Sequence, residues 1–390
     1  MNTKKIMLMG VALTLAVSGM SVSAAEKQVV KVGLATPLSG QVPRMGEIIQ
    51  ETAEMTVKMA NEEAWAENYD LELVVVDDKI TSEGAVDAIN NLIYQENCDI
   101  IIGHLMSVQN LATDPICEDA QIPIICYGGG AVPTMQGLQY TMRSTVDDFA
   151  TIHAMCDYLV GELGYQRIAI FYVNTDAGTV GLEEGTKYMQ EKYGIDWVSQ
   201  QAFNNGDPDF QGQVLAAREA DPDVCLIWGG GQDDAAIIMS QVKQLMGEDM
   251  PFHGGMAVGQ TSMVSAAGAE KLDGVCFPTG WIFDETREMD VKFSEAFQAI
   301  DSQGETPTEL GARIYDAVLC ITNGLNTLGE YDVTADDFSV KLNEAILASE
   351  FEGLQGQFKF DDMHNGLNTS YVAEYQYNAE DGSLAIVRVY

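Results

Sequence analysis

Val29-Val30-Lys31-Val32-Gly33-Leu34-Ala35 is an apolar run that opens onto Thr36-Pro37-Leu38-Ser39-Gly40-Gln41-Val42-Pro43-Arg44, and beyond that loop Ile49, Ala53, Val57, Ala60 and Ala64 recur at helical spacing. The period changes from that of a buried strand to that of a helix with one apolar face, so the segment predicts a strand, loop and helix unit. The unit repeats along the chain. Strands are expected at Leu71 to Val76, Asp99 to Ile102 and Ile122 to Cys126, with helices at Ser82 to Glu96 and Val108 to Ala120. The alternation resumes with strand Arg167 to Tyr172, helix Thr179 to Lys192, strand Asp223 to Trp228 and helix Asp233 to Leu245. Helical patterns at 288–302, 308–328 and 335–347 follow, then short strands that include Ser370 to Tyr377. Continuously apolar strands separated by amphipathic helices predict parallel sheets covered on both faces, here in two α/β units.

The chain has 390 residues, enough for about two domains, and 46% of them are hydrophobic, which excludes disorder. Its 59 acidic residues face 20 basic ones, a net charge of −39, although charged residues make up only 20% of the total. The imbalance therefore comes from missing Lys and Arg rather than from acidic tracts. So acidic a surface repels phosphate backbones and anionic headgroups, which argues against nucleic-acid binding and peripheral membrane attachment.

Lys4 and Lys5 precede an apolar run from Ile6 to Val17 that ends in Val22-Ser23-Ala24-Ala25. This is the pattern of a cleavable secretory signal over residues 1–25, too short in its apolar part to span a bilayer. A soluble periplasmic product is expected. Without Lys4 and Lys5, 18 basic residues remain against 59 acidic, a mature charge of −41. Seven cysteines follow (Cys98, Cys117, Cys126, Cys156, Cys225, Cys276 and Cys320), an odd number with no CxxC or zinc-like spacing. Several sit inside apolar strand-like runs and read as buried thiols.

In parallel α/β sheets, ligands bind beyond the carboxyl ends of the strands. The loops there are rich in glycine: Gly103-His104-Leu105-Met106-Ser107, Tyr127-Gly128-Gly129-Gly130-Ala131, Gly229-Gly230-Gly231-Gln232 and Gly254-Gly255-Met256. Val173-Asn174-Thr175-Asp176-Ala177-Gly178 joins them. Such loops allow close approach of backbone N–H groups to a ligand. No GxxxxGK[ST], HExxH, GxSxG or GxGxxG occurs, and the four histidines are dispersed. Acidic pairs such as Asp77-Asp78, Asp147-Asp148 and Asp233-Asp234 read as solvated turns or helix starts. Nothing here motivates an enzyme, a metal or a cofactor.

Lys31 to Gly40, Ile102-Gly103-His104-Leu105-Met106-Ser107, Tyr140-Thr141-Met142-Arg143-Ser144, Arg167-Ile168-Ala169-Ile170 and Ile314-Tyr315-Asp316-Ala317-Val318 stand in an order and spacing that resemble the branched-chain amino acid binding proteins. These are type I periplasmic solute-binding proteins of ABC transporters. The resemblance implies two Rossmann-like α/β lobes joined by three crossover strands, closing like a clamshell on a small-molecule solute. One lobe would hold residues 26–146 and 282–360, the other 147–281 and 361–390. It further implies a monomer that docks on an ABC permease in the inner membrane; a ligand-sensing periplasmic receptor is the alternative use of the same closure. The solute carboxylate would be held by Ser107 and by the Gly129, Gly130 and Ala131 loop, where a helix start offers unpaired N–H groups and about half a positive charge.

This sequence departs from that pattern at four places. Ala131 stands where the family has Thr, Ala177 and Gly231 where it has Tyr, and Met256 where a Glu pairs with the substrate ammonium. A desolvated ammonium without a counter-charge is costly, so an ordinary zwitterion is expected to fit poorly, with Asp176 or Gln232 as the polar residues at hand to substitute. The lost tyrosines leave room. Trp228, Trp281, Tyr127 and Tyr172 lie near the same strand ends, although each alone reads as core or hinge packing. Arg44, one of few cations, is expected to face the cleft and contact a small organic carboxylate, bulky or aromatic, unless Glu47 pairs with it. Arg143 reads as a structural pair between lobes.

Overall fold

The computed structural model describes residues 27–40, 42–300, 307–367 and 370–390. The expected signal segment lies outside them, as do Gln41 of the first loop and the end of the 288–302 pattern. The chain begins β1 (Gln28–Thr36), α1 (Pro43–Glu62), β2 (Tyr69–Asp77), α2 (Ser82–Tyr94), β3 (Ile100–Ile102) and α3 (Ser107–Ala120). It continues β4 (Ile124–Cys126), the short α4 (Val132–Met135) and β5 (Thr141–Arg143). A second run comprises α5 (Asp148–Cys156), β6 (Ile168–Val173), α6 (Asp176–Tyr193), β7 (Ser199–Phe203) and α7 (Gln211–Glu219). It goes on through β8 (Val224–Trp228), α8 (Gln232–Met246), β9 (Phe252–Gly254), α9 (Thr261–Ala267) and β10 (Cys276–Thr279). The remainder is α10 (Glu288–Ile300), α11 (Glu309–Leu328), α12 (Phe338–Leu347), β11 (Glu350–Glu352), β12 (Gln357–Lys359), β13 (Tyr371–Tyr377) and β14 (Leu384–Arg388).

Two parallel sheets carry the architecture. The first has order β2-β1-β3-β4-β5, with Val32 of β1 set against Leu73 on one side and Ile100 on the other. The second has order β7-β6-β8-β9, with Phe171 aligned between Gln201 and Ile227. Side chains of a strand alternate between faces, and both faces are filled. Ile100 and Ile102 pack with Ile49, Ala53 and Val57 of α1 and Ile314, Val318 and Ile321 of α11, whereas Ile101 packs with Ala88, Ile89 and Leu92 of α2. In the second sheet Phe171 and Ile227 meet Val214 and Ile238, and Ile170 and Leu226 meet Met155, Leu159 and Trp197. An antiparallel set, β10-β13-β14, adds Phe277 and Tyr375 to this second core.

The main chain passes between the two bodies three times: after β5, after β10 and between β12 and β13. The result is the α/β fold with two parallel-sheet lobes that the alternation of the sequence implies. Loops following β1, β3 and β4 in one body, and β6, β8 and β9 in the other, sit at carboxyl ends of parallel strands. Among the described residues no helix is long and apolar enough to cross a membrane.

Candidate functional site between the sheets

The loop from Gly128 to Ala131 is built by close approach. A Cβ at Gly128 would lie 2.3 Å from the Leu105 carbonyl oxygen, so only glycine lets this strand end touch the loop after β3. A Cβ at Gly130 would lie 1.8 Å from Ser107 Oγ, which places the serine hydroxyl against the Gly130 backbone. Ser107 is the first residue of α3, while Met106 holds the cap position and its N–H donates to Gln109 Oε1 at 3.3 Å. The hydroxyl is therefore not spent on capping the helix. The N–H groups of Gly129, Gly130 and Ala131 donate to no acceptor among the described residues. Main-chain donors and one hydroxyl converge here.

Arg143 holds the loop from beneath. Completely buried, it donates to the carbonyls of Gly128 and Ala131 (3.4 Å to the latter), to Thr134 Oγ1 at 3.4 Å and to Asn365 Oδ1 at 3.1 Å. Among the described residues it has no ion-pair partner: its fan of donors fixes two carbonyls, a hydroxyl and the Asn365 amide, which suits a planar guanidinium. Above the loop, Arg313 of α11 donates to Glu309 Oε1 at 2.7 Å and to the Tyr127 carbonyl at 3.2 Å. Its Nη2 also lies 3.5 Å from Met256 Sδ, and a Cβ at Gly129 would lie 3.6 Å from the same sulfur. Met256 follows β9, so it reaches from the second sheet to the strand-end loop of the first.

The other candidate residues stand at the starts of α1, α6 and α8. Arg44 lies in the first turn of α1, with Nη1 3.5 Å from Glu47 Oε2 and 3.6 Å from Glu51 Oε2, so its charge is balanced along its own helix. Gly231 caps α8 and donates to Asp234 Oδ2 at 3.2 Å, after Gly229 and Gly230 turn the chain at φ of 74° and 80°. Gln232 is the first residue of α8. Neither Gly231 nor Gln232 hydrogen-bonds to the Ser107, Gly130 and Met256 group among the described residues. Ala177 falls in the first turn of α6.

Three aromatic residues near the strand ends are core. Tyr127 is buried and donates to the Ala35 carbonyl at 3.2 Å, and Trp281 packs beside Phe293 with Nε1 3.2 Å from Asp290 Oδ2. Trp228 turns under α6, where a Cβ at Gly181 would strike its Nε1. Asp148, Glu309 and Arg313 are the site residues that sequence reasoning missed. Asp147 does cap α5, its Oδ1 accepting from Ala150 N at 2.8 Å, as a helix start should. Asp148 instead turns toward the loop, with Oδ1 3.3 Å from where a Gly129 Cβ would stand. Glu309 and Arg313 stand four apart in the first turns of α11, a spacing that could have flagged a buried pair.

Known proteins share this fold. A family model described as periplasmic binding protein matches residues 29–382. The leucine-, isoleucine-, valine-, threonine- and alanine-binding protein of Pseudomonas aeruginosa is 24% identical over 350 residues, covering 89% of this chain and 90% of its own. The branched-chain amino acid transporter substrate-binding protein of Streptococcus pneumoniae, solved with isoleucine, superposes with a TM-score of 0.77 at 24% identity, covering 93% of this chain and 99% of its own. A solute-binding protein of an ABC transporter from R. palustris, solved with benzoate, gives 0.75 at 21% identity, covering 92% and 96%. These relatives are binding proteins, not enzymes. With the match extending over nearly all the described residues, the chain belongs to the periplasmic binding protein family.

Proposed function

We propose that this protein captures a small organic solute between its two lobes by hinge closure and hands it to the membrane permease of an ABC uptake system. The observation that carries the reading is the convergence, at one strand end, of Ser107 Oγ with the unpaired N–H groups of Gly129 to Ala131, faced from the other sheet by Met256. Donors without protein acceptors suit an acidic or carbonyl group of a ligand, and a helix start adds a favourable field for it. A ligand that touches both bodies stabilises the closed arrangement by its differential contacts and does nothing for the open one. The family membership and the relatives named for amino-acid binding support a solute of amino-acid or carboxylate type. The periplasm is the compartment that the family name implies.

The test is a thermal-shift panel of amino acids, aromatic acids, dicarboxylates and amides, followed by calorimetry on the hits. One chemical class should raise the melting temperature, because a ligand that binds only the folded state stabilises it by mass action. Ser107→Ala should then weaken that ligand by roughly tenfold, the worth of a hydrogen bond to a charged group. Unaltered melting across the whole panel, or full affinity in the serine variant, would reject the assignment.

A further inference from the structure

Asp148 carries a charge at this loop on which Arg143 and Arg313 act only through their fields. It is half-buried, its N–H donates to the Gly129 carbonyl at 2.8 Å, and its carboxylate has neither a hydrogen-bond nor an ion-pair partner among them. The carboxylate faces the loop itself: Oδ1 lies 3.3 Å from a Cβ placed on Gly129, and Oδ2 4.0 Å from one placed on Gly130. The surrounding charges are already used. Asp147 caps α5, Arg143 serves the Gly128 and Ala131 carbonyls, and Arg313 pairs with Glu309, whose second oxygen accepts from Thr279 Oγ1 at 2.9 Å. Arg44 is balanced by Glu47 and Glu51.

A fully anionic solute seated on these amides would set its charge beside a carboxylate that no cation among the described residues touches, and like charges at such a distance repel in a half-desolvated site. A solute with a cationic nitrogen next to its acidic or carbonyl group would meet the amides with one end and Asp148 with the other. We propose that Asp148 is the specificity-determining residue of the cleft: it receives the protonated amine of the solute, in place of the acid that Met256 displaces, and excludes simple carboxylic acids. This rests on the reading of the cleft as a solute site.

Burial raises the Asp148 carboxyl to about 6, against the opposing pull of Arg143 and Arg313 and with the push of Asp147 and Glu309. Its ionised form is therefore gained between pH 5 and 7.5. An amine-bearing solute should bind more tightly across that interval, whereas an acid without an amine should bind less tightly.

The experiment is calorimetry on the mature chain with matched pairs: leucine and 4-methylpentanoate, phenylalanine and 3-phenylpropanoate, glutamate and glutarate. The protein should prefer the amine-bearing member of the best-bound pair by roughly 30-fold, the scale of a charge-assisted hydrogen bond, and Asp148→Asn should reduce that preference below about threefold. The pH profile of the parent protein gives a second readout that needs no variant. Tighter binding of the des-amino member, or a preference kept in Asp148→Asn, would overturn the role of Asp148 while leaving solute capture intact. Absence of binding by every compound, in these pairs and in the panel above, would reject solute capture and this inference with it.

Discussion

Gly130 and Ser107 show how little side chain the site uses. A methyl group at Gly130 would occupy the position of the serine hydroxyl, and the serine can give way only by rotating that hydroxyl out of the cleft. Gly130→Ala should therefore fold with near-parental stability and lose about tenfold in solute affinity, measured by circular dichroism and calorimetry side by side. The cysteines argue at the same scale. All seven are free and buried, and burial pushes the thiols of Cys98, Cys225 and Cys276 up to about 12. Thiolate is the reactive form, so a thiol reagent should label none of them in the native protein and all seven in denaturant. Fast labelling under native conditions would mean that the strands carrying them open readily.

At the scale of elements, one buried guanidinium organises the loop between β4 and β5. Arg143→Met strips Gly128, Ala131, Thr134 and Asn365 of their common donor and leaves buried acceptors without partners. It should cost about 3 kcal/mol or more in urea unfolding and weaken solute binding as well. A loss below 1 kcal/mol would show that the loop holds itself. How much of this was legible in the sequence follows from which signals are local. Ile49, Ala53, Val57 and Ala60 all turn inward on α1 as their spacing predicts, although Ala64 lies past the helix end. Strand β7 escaped notice because it is an edge strand with Gln200 exposed and Gln201 half-buried, so it lacks the apolar run of its neighbours. Strand-end glycines such as Gly130 stood out because they mark close approach, whereas Ser107 was singled out by the family resemblance. Asp148 was not, because in a chain with 59 acidic residues nothing local separates a carboxylate that caps a helix from the next one, which faces a cleft. Arg143 was legible only as a structural residue at a crossover, since its carbonyl partners lie 15 and 12 residues away and carry no side-chain signal.

The whole molecule combines a net charge of −39 with carboxyl groups sunk in its core. Burial lifts Asp99 to about 6 and Asp114 and Asp316 to about 7, all above the unfolded value near 3.9. Groups raised in this way contribute stability that is complete below about pH 4 and is lost as the pH climbs through 6 to 7. Asp77 and Asp157, held below the usual carboxylate range by hydrogen bonds that outweigh burial, act oppositely and only in stronger acid. The melting temperature should thus be higher at pH 5.5 than at pH 8 by about 5 °C, a shift that scanning calorimetry would read. The same two-body plan sets the central claim, that a solute gripped between the sheets draws them together. Small-angle scattering of a chain of residues 26–390 with each compound of the solute panel tests it most directly. One chemical class should lower the radius of gyration, and a profile unchanged by every compound would contradict the account.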